Sequence, residues 1–136
     1  MTESQFAKQV LKEPNGKIER DGNIIFDGII VKPEEMGENC QLLYSIVTKA
    51  HVNEQVPHYH DFPIILTFAG ITPGNIYDFD AEIEFYLGGE KQVITTASVV
   101  PVPAKMVHCP LIFKRVGKPL AFFEVHLTDK YVRYEV

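Results

Sequence analysis

The feature that most limits how this chain can fold is the spacing of its turn residues. Asp21-Gly22, Asp27-Gly28, Lys32-Pro33, Gly37, Pro73-Gly74, Gly88-Gly89 and Gly117-Lys118-Pro119 punctuate it, in many places every ten residues or so. Gly and Pro interrupt regular structure, so the intervals between them suit strands better than helices. The segments between the marks, residues 23–26, 42–52, 64–69, 83–87, 92–102, 111–116 and 120–127, are rich in β-branched and aromatic residues. Short strands at such spacing predict an all-β sandwich or barrel. Residues 4–12 place Phe6, Val10 and Leu11 at near-helical spacing and stop at Pro14-Asn15-Gly16. One short N-terminal helix is therefore expected ahead of the strands. No βαβ alternation or glycine-rich phosphate loop is present, which excludes a nucleotide-binding α/β fold.

With 136 residues the chain has room for one domain with a core of its own. The expected division is an arm with the helix over 1–16 and a barrel over 17–136. Hydrophobic residues are 46% and charged residues 23%, enough apolar surface to offset the entropy of folding without a structural metal or disulfides. A metal, if bound, serves function. The balance of 13 basic against 18 acidic residues, net -5, has the wrong sign for binding a phosphate backbone, so nucleic acid is not an expected partner. No apolar run approaches the roughly 18 residues of a membrane span, and residues 1–10 lack a basic start followed by an apolar stretch. The expectation is a cytoplasmic protein with no membrane partner. Cys40 and Cys109 form no CxxC and are expected to be reduced.

The five histidines carry the chemistry. His58 and His60 stand one residue apart in VPHYHDF, and on a strand residues i and i+2 share a face. Taken alone, such a pair is as well explained by a polar edge or by packed rings. Glu82 and Glu84 repeat the spacing, with Ile83, Phe85 and Leu87 on the other face; alternation of this kind most often marks a solvated strand face. His108 opens the run 108–116. His126 shares a face with Phe122 and Glu124 and is within reach of the barrel mouth, although a structural or surface role is expected of it, and His51 falls on a polar parity that predicts solvent. Cys109, next to His108, belongs on the opposite face of a regular strand, while Lys114 and Arg115 approach a turn and are expected to be solvated.

Together these pieces resemble the cupin superfamily, whose barrel carries metal ligands in two motifs. The first motif has His-x-His, then Glu, then six residues and Gly, matched here by His58-Tyr59-His60 and by Glu82 with Gly89. The second has Pro and His at the separation of Pro103 and His108, with Lys105 where the motif has Gly. The likeness covers roughly residues 51–127. It implies a cupin-like double-stranded β-helix, a jelly-roll barrel, in which His58, His60, Glu82 and His108 bind one divalent transition metal. Fe, Mn, Ni, Co and Zn all suit this ligand set. Cupins also pair through their sheets, which implies a homodimer.

Residues 61–81 separate His60 from Glu82 where the motif has a short gap. They are read as a hairpin insertion, with residues 64–69 running out, Thr72-Pro73-Gly74-Asn75 turning and Glu82 returning, and with its tip covering the pocket. Its register leaves the acidic ligand open among Glu82, Glu84, Asp61, Asp78 and Asp80. Glu84 and Tyr86 continue the face of Glu82, as a general acid or base or as a polar lining pair. The expected function is a metal-dependent enzyme of dioxygenase, isomerase or decarboxylase type, acting on a small anionic or carboxylated molecule. A non-catalytic small-molecule binding or sensing barrel, or a structural barrel, are the alternatives.

Overall fold

The computed structural model describes residues 5–12 and 15–136. Two of the turn dipeptides close two-residue hairpins. Asp21 and Gly22 have φ of 52° and 80° and join β1 (Gly16–Arg20) to β2 (Asn23–Val31). Gly88 and Gly89, with φ of 58° and 82°, join β7 (Ala81–Leu87) to β8 (Glu90–Ile94). Two consecutive positive φ values are what a primed turn needs to follow the right-handed twist of the strands. The other strands are β3 (Gln41–Val47), β4 (His51–Glu54), β5 (His58–Tyr59), β6 (Ile64–Gly70), β9 (Ser98–Val102), β10 (His108–Val116), β11 (Leu120–His126) and β12 (Tyr134–Glu135). A single helical turn, α1 (Pro33–Met36), lies between β2 and β3.

The strands form two antiparallel sheets that face one another as a jelly-roll barrel. One runs β1-β2-β3-β11-β6-β9 and the other β12-β5-β10-β7-β8, with β4 also pairing β10. Alternate residues of the inner faces fill the space between them. Leu66 and Phe68 of β6, Ile83 and Phe85 of β7, Leu111 and Phe113 of β10, and Phe122 of β11 are all at most 2% exposed. The rings interlock: Phe68 stacks on Phe122 at 5.2 Å, and Phe113 meets both edge-on at 6.0 and 5.4 Å. Each such side chain contributes about 1.5–3 kcal/mol by leaving water.

Three expectations are corrected. Residues 42–52 and 92–102 are not single strands, because each run crosses from one sheet to the other. β3 pairs β11 and β4 pairs β10, while β8 pairs β7 and β9 pairs β6. Residues 61–81 are not a hairpin for the same reason: β6 pairs β11 and β9 in the first sheet, and β7 pairs β10 and β8 in the second. The connection 71–80 folds back on Gly70, where a Cβ would lie 2.4 Å from the Asp78 carbonyl oxygen. Of the expected helix over 4–12, of which Ser4 lies outside the described residues, one 3-10 turn forms at Ala7–Gln9. Phe6 and Val10 remain 65% and 59% exposed, so little burial supports a longer helix.

Candidate metal centre

β5 and β10 are neighbours in the second sheet, and their register sets His58 opposite His108. His60 follows two residues after His58. The three side chains converge at one end of the barrel, each 2% exposed, with ligand atoms all within 4.8 Å of one another. Ring centroids are 4.5 Å apart for His58 and His108, 4.9 Å for His58 and His60, and 5.0 Å for His60 and His108.

The hydrogen bonds of these rings define their tautomers. Nδ1 of His58 lies 2.8 Å from the Val56 carbonyl oxygen, Nδ1 of His60 2.7 Å from that of Val132, and Nδ1 of His108 2.9 Å from that of Met106. A carbonyl oxygen only accepts, so each Nδ1 carries the proton and each Nε2 keeps its lone pair. Burial pushes all three imidazoles below their ordinary pKa, His108 down to about 4, which keeps them neutral near pH 7. Nε2 of His60 is buried and has no hydrogen-bond partner. Three neutral, oriented nitrogens, one of them orphaned, form a donor set that fits a divalent transition ion.

The turn before His108 supports this geometry. Lys105 has φ of 70°, the left-handed conformation for which glycine is the usual choice, and its N–H donates to the His60 carbonyl oxygen at 2.6 Å. Its ammonium group points outward, 3.8 Å from Asp61.

No carboxylate completes the trio among the described residues. In β7, Ala81, Ile83 and Phe85 are buried, so the period of two turns Glu82, Glu84 and Tyr86 to the outer face of the sheet. Glu84 pairs there with Lys91 at 3.3 Å and with Lys114 at 3.6 Å, and Glu82 lies 3.8 Å from Lys114. The other candidates are engaged elsewhere: Asp61 with Lys105, Asp78 with Lys118 and Thr72, and Asp80 with Arg115. Glu82 as a ligand, and Glu84 and Tyr86 as acid or base, are therefore corrected by the parity of their strand.

The histidines open into a cavity of about 330 Å³ between the sheets. Leu43, Leu66, Phe85 and Phe122 give it apolar walls. Facing the trio from the first sheet are Glu124 and His126 of β11, whose Oε2 and Nε2 lie 3.7 Å apart. His126 is 6% exposed, with Nδ1 3.3 Å from Gln41 Oε1, so the surface role expected for it gives way to a cavity-lining one. The rings of Phe62 and Tyr131 each touch both His60 and His126. Cys109 also lines this cavity. It sits in a bulge of β10 between His108 and Leu111 with φ of 78°, which turns its thiol to the same side as His108 rather than the opposite one. Burial raises the thiol's pKa, so it stays protonated. His51 is half-buried instead of solvated, its ring stacked on Phe113 at 4.9 Å. The proline-free strand pattern of β11 and the inward parity of Phe122 with Glu124 and His126 were the sequence signal for the far side of the cavity.

Glu54 adds a charged group at the cavity wall. Burial alone would raise its pKa, but the Val56 N–H, Arg133 and Arg20 outweigh that and hold it below the ordinary carboxylate range.

No family profile and no characterised protein sequence matches the chain. Solved structures do. A cupin-like protein from Thermotoga maritima is 14% identical with a TM-score of 0.56, over 93% of this chain and 88% of its own. A point mutant of Bacillus subtilis oxalate decarboxylase is 14% identical with a TM-score of 0.57, over 100% of this chain and 37% of its own. The polyketide cyclase RemF from Streptomyces resistomycificus is 13% identical with a TM-score of 0.51, over 78% of this chain and 66% of its own. The chain thus spans about two thirds of the cyclase and little more than a third of the decarboxylase. Two facing antiparallel sheets, three histidines converging at one end and these likenesses together identify the fold of this chain as that of the cupins.

Proposed function

We propose that the chain is a metal-dependent enzyme acting on a small molecule that carries an anionic or other oxygen-donor group on a largely apolar body. The observation that carries this reading is the set of three buried imidazoles whose Nδ1–H groups are held by carbonyl oxygens and whose potential ligand atoms lie within 4.8 Å of one another. His58, His60 and His108 would hold one divalent ion, with Fe, Mn, Ni, Co and Zn as candidates. Such an ion would supply Lewis acidity at this end of the cavity. An oxygen donor suits that end, and the apolar walls suit the remainder of the ligand. Glu124 and His126, across the cavity, are placed to take or give a proton on the substrate's far side.

The neighbours' names point to decarboxylation and cyclisation in those proteins. For this chain they support small-molecule chemistry, and the proposed reaction is of isomerase, decarboxylase or dioxygenase type. A homodimer is supported by the outer face of the first sheet, where Tyr44 stacks on Phe123 at 4.6 Å and Ile46 and Val99 are 41% and 62% exposed. The free thiols of Cys40 and Cys109 suit a reducing cytoplasm. Among the described residues no helix is long and apolar enough to cross a membrane.

The test is elemental analysis of untagged protein, followed by a product screen of small carboxylic, keto and phenolic acids. One ion per chain with turnover supports the enzyme. One ion with ligand-induced stabilisation and no product converts the reading to a binding or sensing barrel.

A further inference from the structure

The three histidines are oriented in two different ways. His58 and His108 each donate to a carbonyl two residues earlier in their own strand approach, Val56 and Met106. His60 has no such local acceptor and donates instead to Val132, 72 residues away. The acceptor arrives on residues 131–136, which dock through several independent contacts. β12 pairs with β5, setting Tyr134 opposite Tyr59 and Glu135 opposite His58. Val136 N–H donates to the Pro57 carbonyl oxygen at 3.4 Å, and the rings of Tyr59 and Tyr134 stack at 5.2 Å.

Arg133 extends the same control to His58. Its guanidinium binds Glu54 Oε2, and Glu54 Oε1 accepts from the Val56 N–H at 3.0 Å. The carbonyl of that same Val56 holds His58 Nδ1. One short segment thus sets the ring of His60 directly and, together with Arg20 on the same Glu54 oxygen at 2.8 Å, steadies that of His58 through Glu54 and Val56.

We propose that residues 131–136 are a clasp that positions the metal ligands, so that docking of this segment and binding of a divalent transition ion form one coupled equilibrium. The inference rests on the metal-centre reading above. Outer-shell partners of metal-bound histidines fix ring orientation, and their loss costs about 10- to 100-fold in affinity. Linkage makes the effect reciprocal: the factor by which docking tightens metal binding is the factor by which the ion favours docking. Val132 and Arg133 are positioning residues, since they act through His60 and through Glu54.

The experiment uses Zn(II) as the probe. Its affinity is measured by competition with a chromophoric chelator for the full chain, Arg133→Ala, Arg133→Lys, a chain ending at Thr128, and Lys118→Ala as a control whose partner Asp78 lies on the 71–80 connection. Amide hydrogen exchange over 131–136 is followed with and without Zn(II). The clasp predicts weakening of about 10- to 100-fold in Arg133→Ala and in the shortened chain, partial rescue by lysine and none of this in the control. It also predicts slower exchange over 131–136 on loading. If the shortened chain does not fold, Arg133→Ala and the exchange data decide the matter. Unchanged Zn(II) affinity in Arg133→Ala, or exchange over 131–136 indifferent to Zn(II), in a full chain that binds one ion overturns the clasp and leaves the metal centre standing. A full chain that binds no ion overturns both.

Discussion

His58 and His108 face one another from paired strands, with ring centroids 4.5 Å apart and an interplanar angle of 63°. Both rings are neutral and both hold Nδ1 against a carbonyl oxygen, so two strands far apart in sequence present one oriented pair of imidazoles. Replacing either by alanine should weaken Zn(II) binding by more than the roughly 10- to 100-fold of an outer-shell change. Glu82→Ala and Glu84→Ala should leave it unchanged, since both carboxylates pair with lysines on the outside of the sheet. Equilibrium dialysis with elemental analysis measures all four.

The metal-free protein should lose stability as the solution is acidified from about pH 6.5 to about pH 4. Burial lowers the His108 pKa from 6.5 to about 4, and His58 and His60 shift the same way. In that window the unfolded chain binds protons that the folded chain refuses, so stability is full above 6.5 and falls with pH. His108 alone accounts for roughly 3 kcal/mol across the window. Urea denaturation in the presence of chelator at several pH values should show this slope, and His108→Leu should flatten it. Glu54 acts in a lower window: its depressed pKa adds stability that is present above its unfolded value and lost as pH drops through the folded one.

Neighbouring residues of β7 should respond in opposite ways. Phe85 is fully buried among the core rings, so Phe85→Ala should cost about 3–5 kcal/mol. Glu84→Gln should change stability by less than about 0.5 kcal/mol, because its ion pairs lie on the partly solvated outer face. Thermal and chemical denaturation of the two variants would also reveal a reversed strand parity, which would exchange their effects.

Glu124→Gln and His126→Gln should retain the ion and lose turnover. Neither side chain belongs to the converging trio, and both face it across the cavity. Once a substrate is identified, kcat should fall by about 10²- to 10⁴-fold, the usual contribution of a positioned acid or base, with metal content unaltered.

If the chain pairs through this sheet as proposed, Tyr44→Glu should convert it to a monomer in sedimentation velocity. The substitution sets a charge in the exposed apolar face where Tyr44 stacks on Phe123. A wild-type chain that sediments as a monomer at high concentration would remove the dimer from the proposal.

The sequence made some of this legible because the chemistry was local. Asp21-Gly22 and Gly88-Gly89 announce their turns since positive φ is a property of the residues themselves. His58, His60 and His108 were legible through motif spacing. Glu82 was misread because alternation tells which residues share a face and not which face is inside; burial of Ile83 and Phe85 decides that. The long runs 42–52 and 92–102 hide their crossings, because strand propensity is blind to which sheet a residue joins. The bulge at Cys109 and the arrival of Val132 beside His60 depend on contacts between distant segments. No local pattern encodes them.

β11 is a strand with two vocations. Its first half, Leu120 to Phe122, is buried in the core, with Phe122 also walling the cavity, whereas Glu124 and His126 in its second half give the cavity polar groups. β10 is divided the same way, with Leu111 and Phe113 in the core and His108 at the open end. Core packing and the polar lining of the cavity thus follow one another along the same strands. Substitutions among the polar lining can reshape what the cavity accepts while the core goes on holding the barrel together, so its contents can change without a new fold.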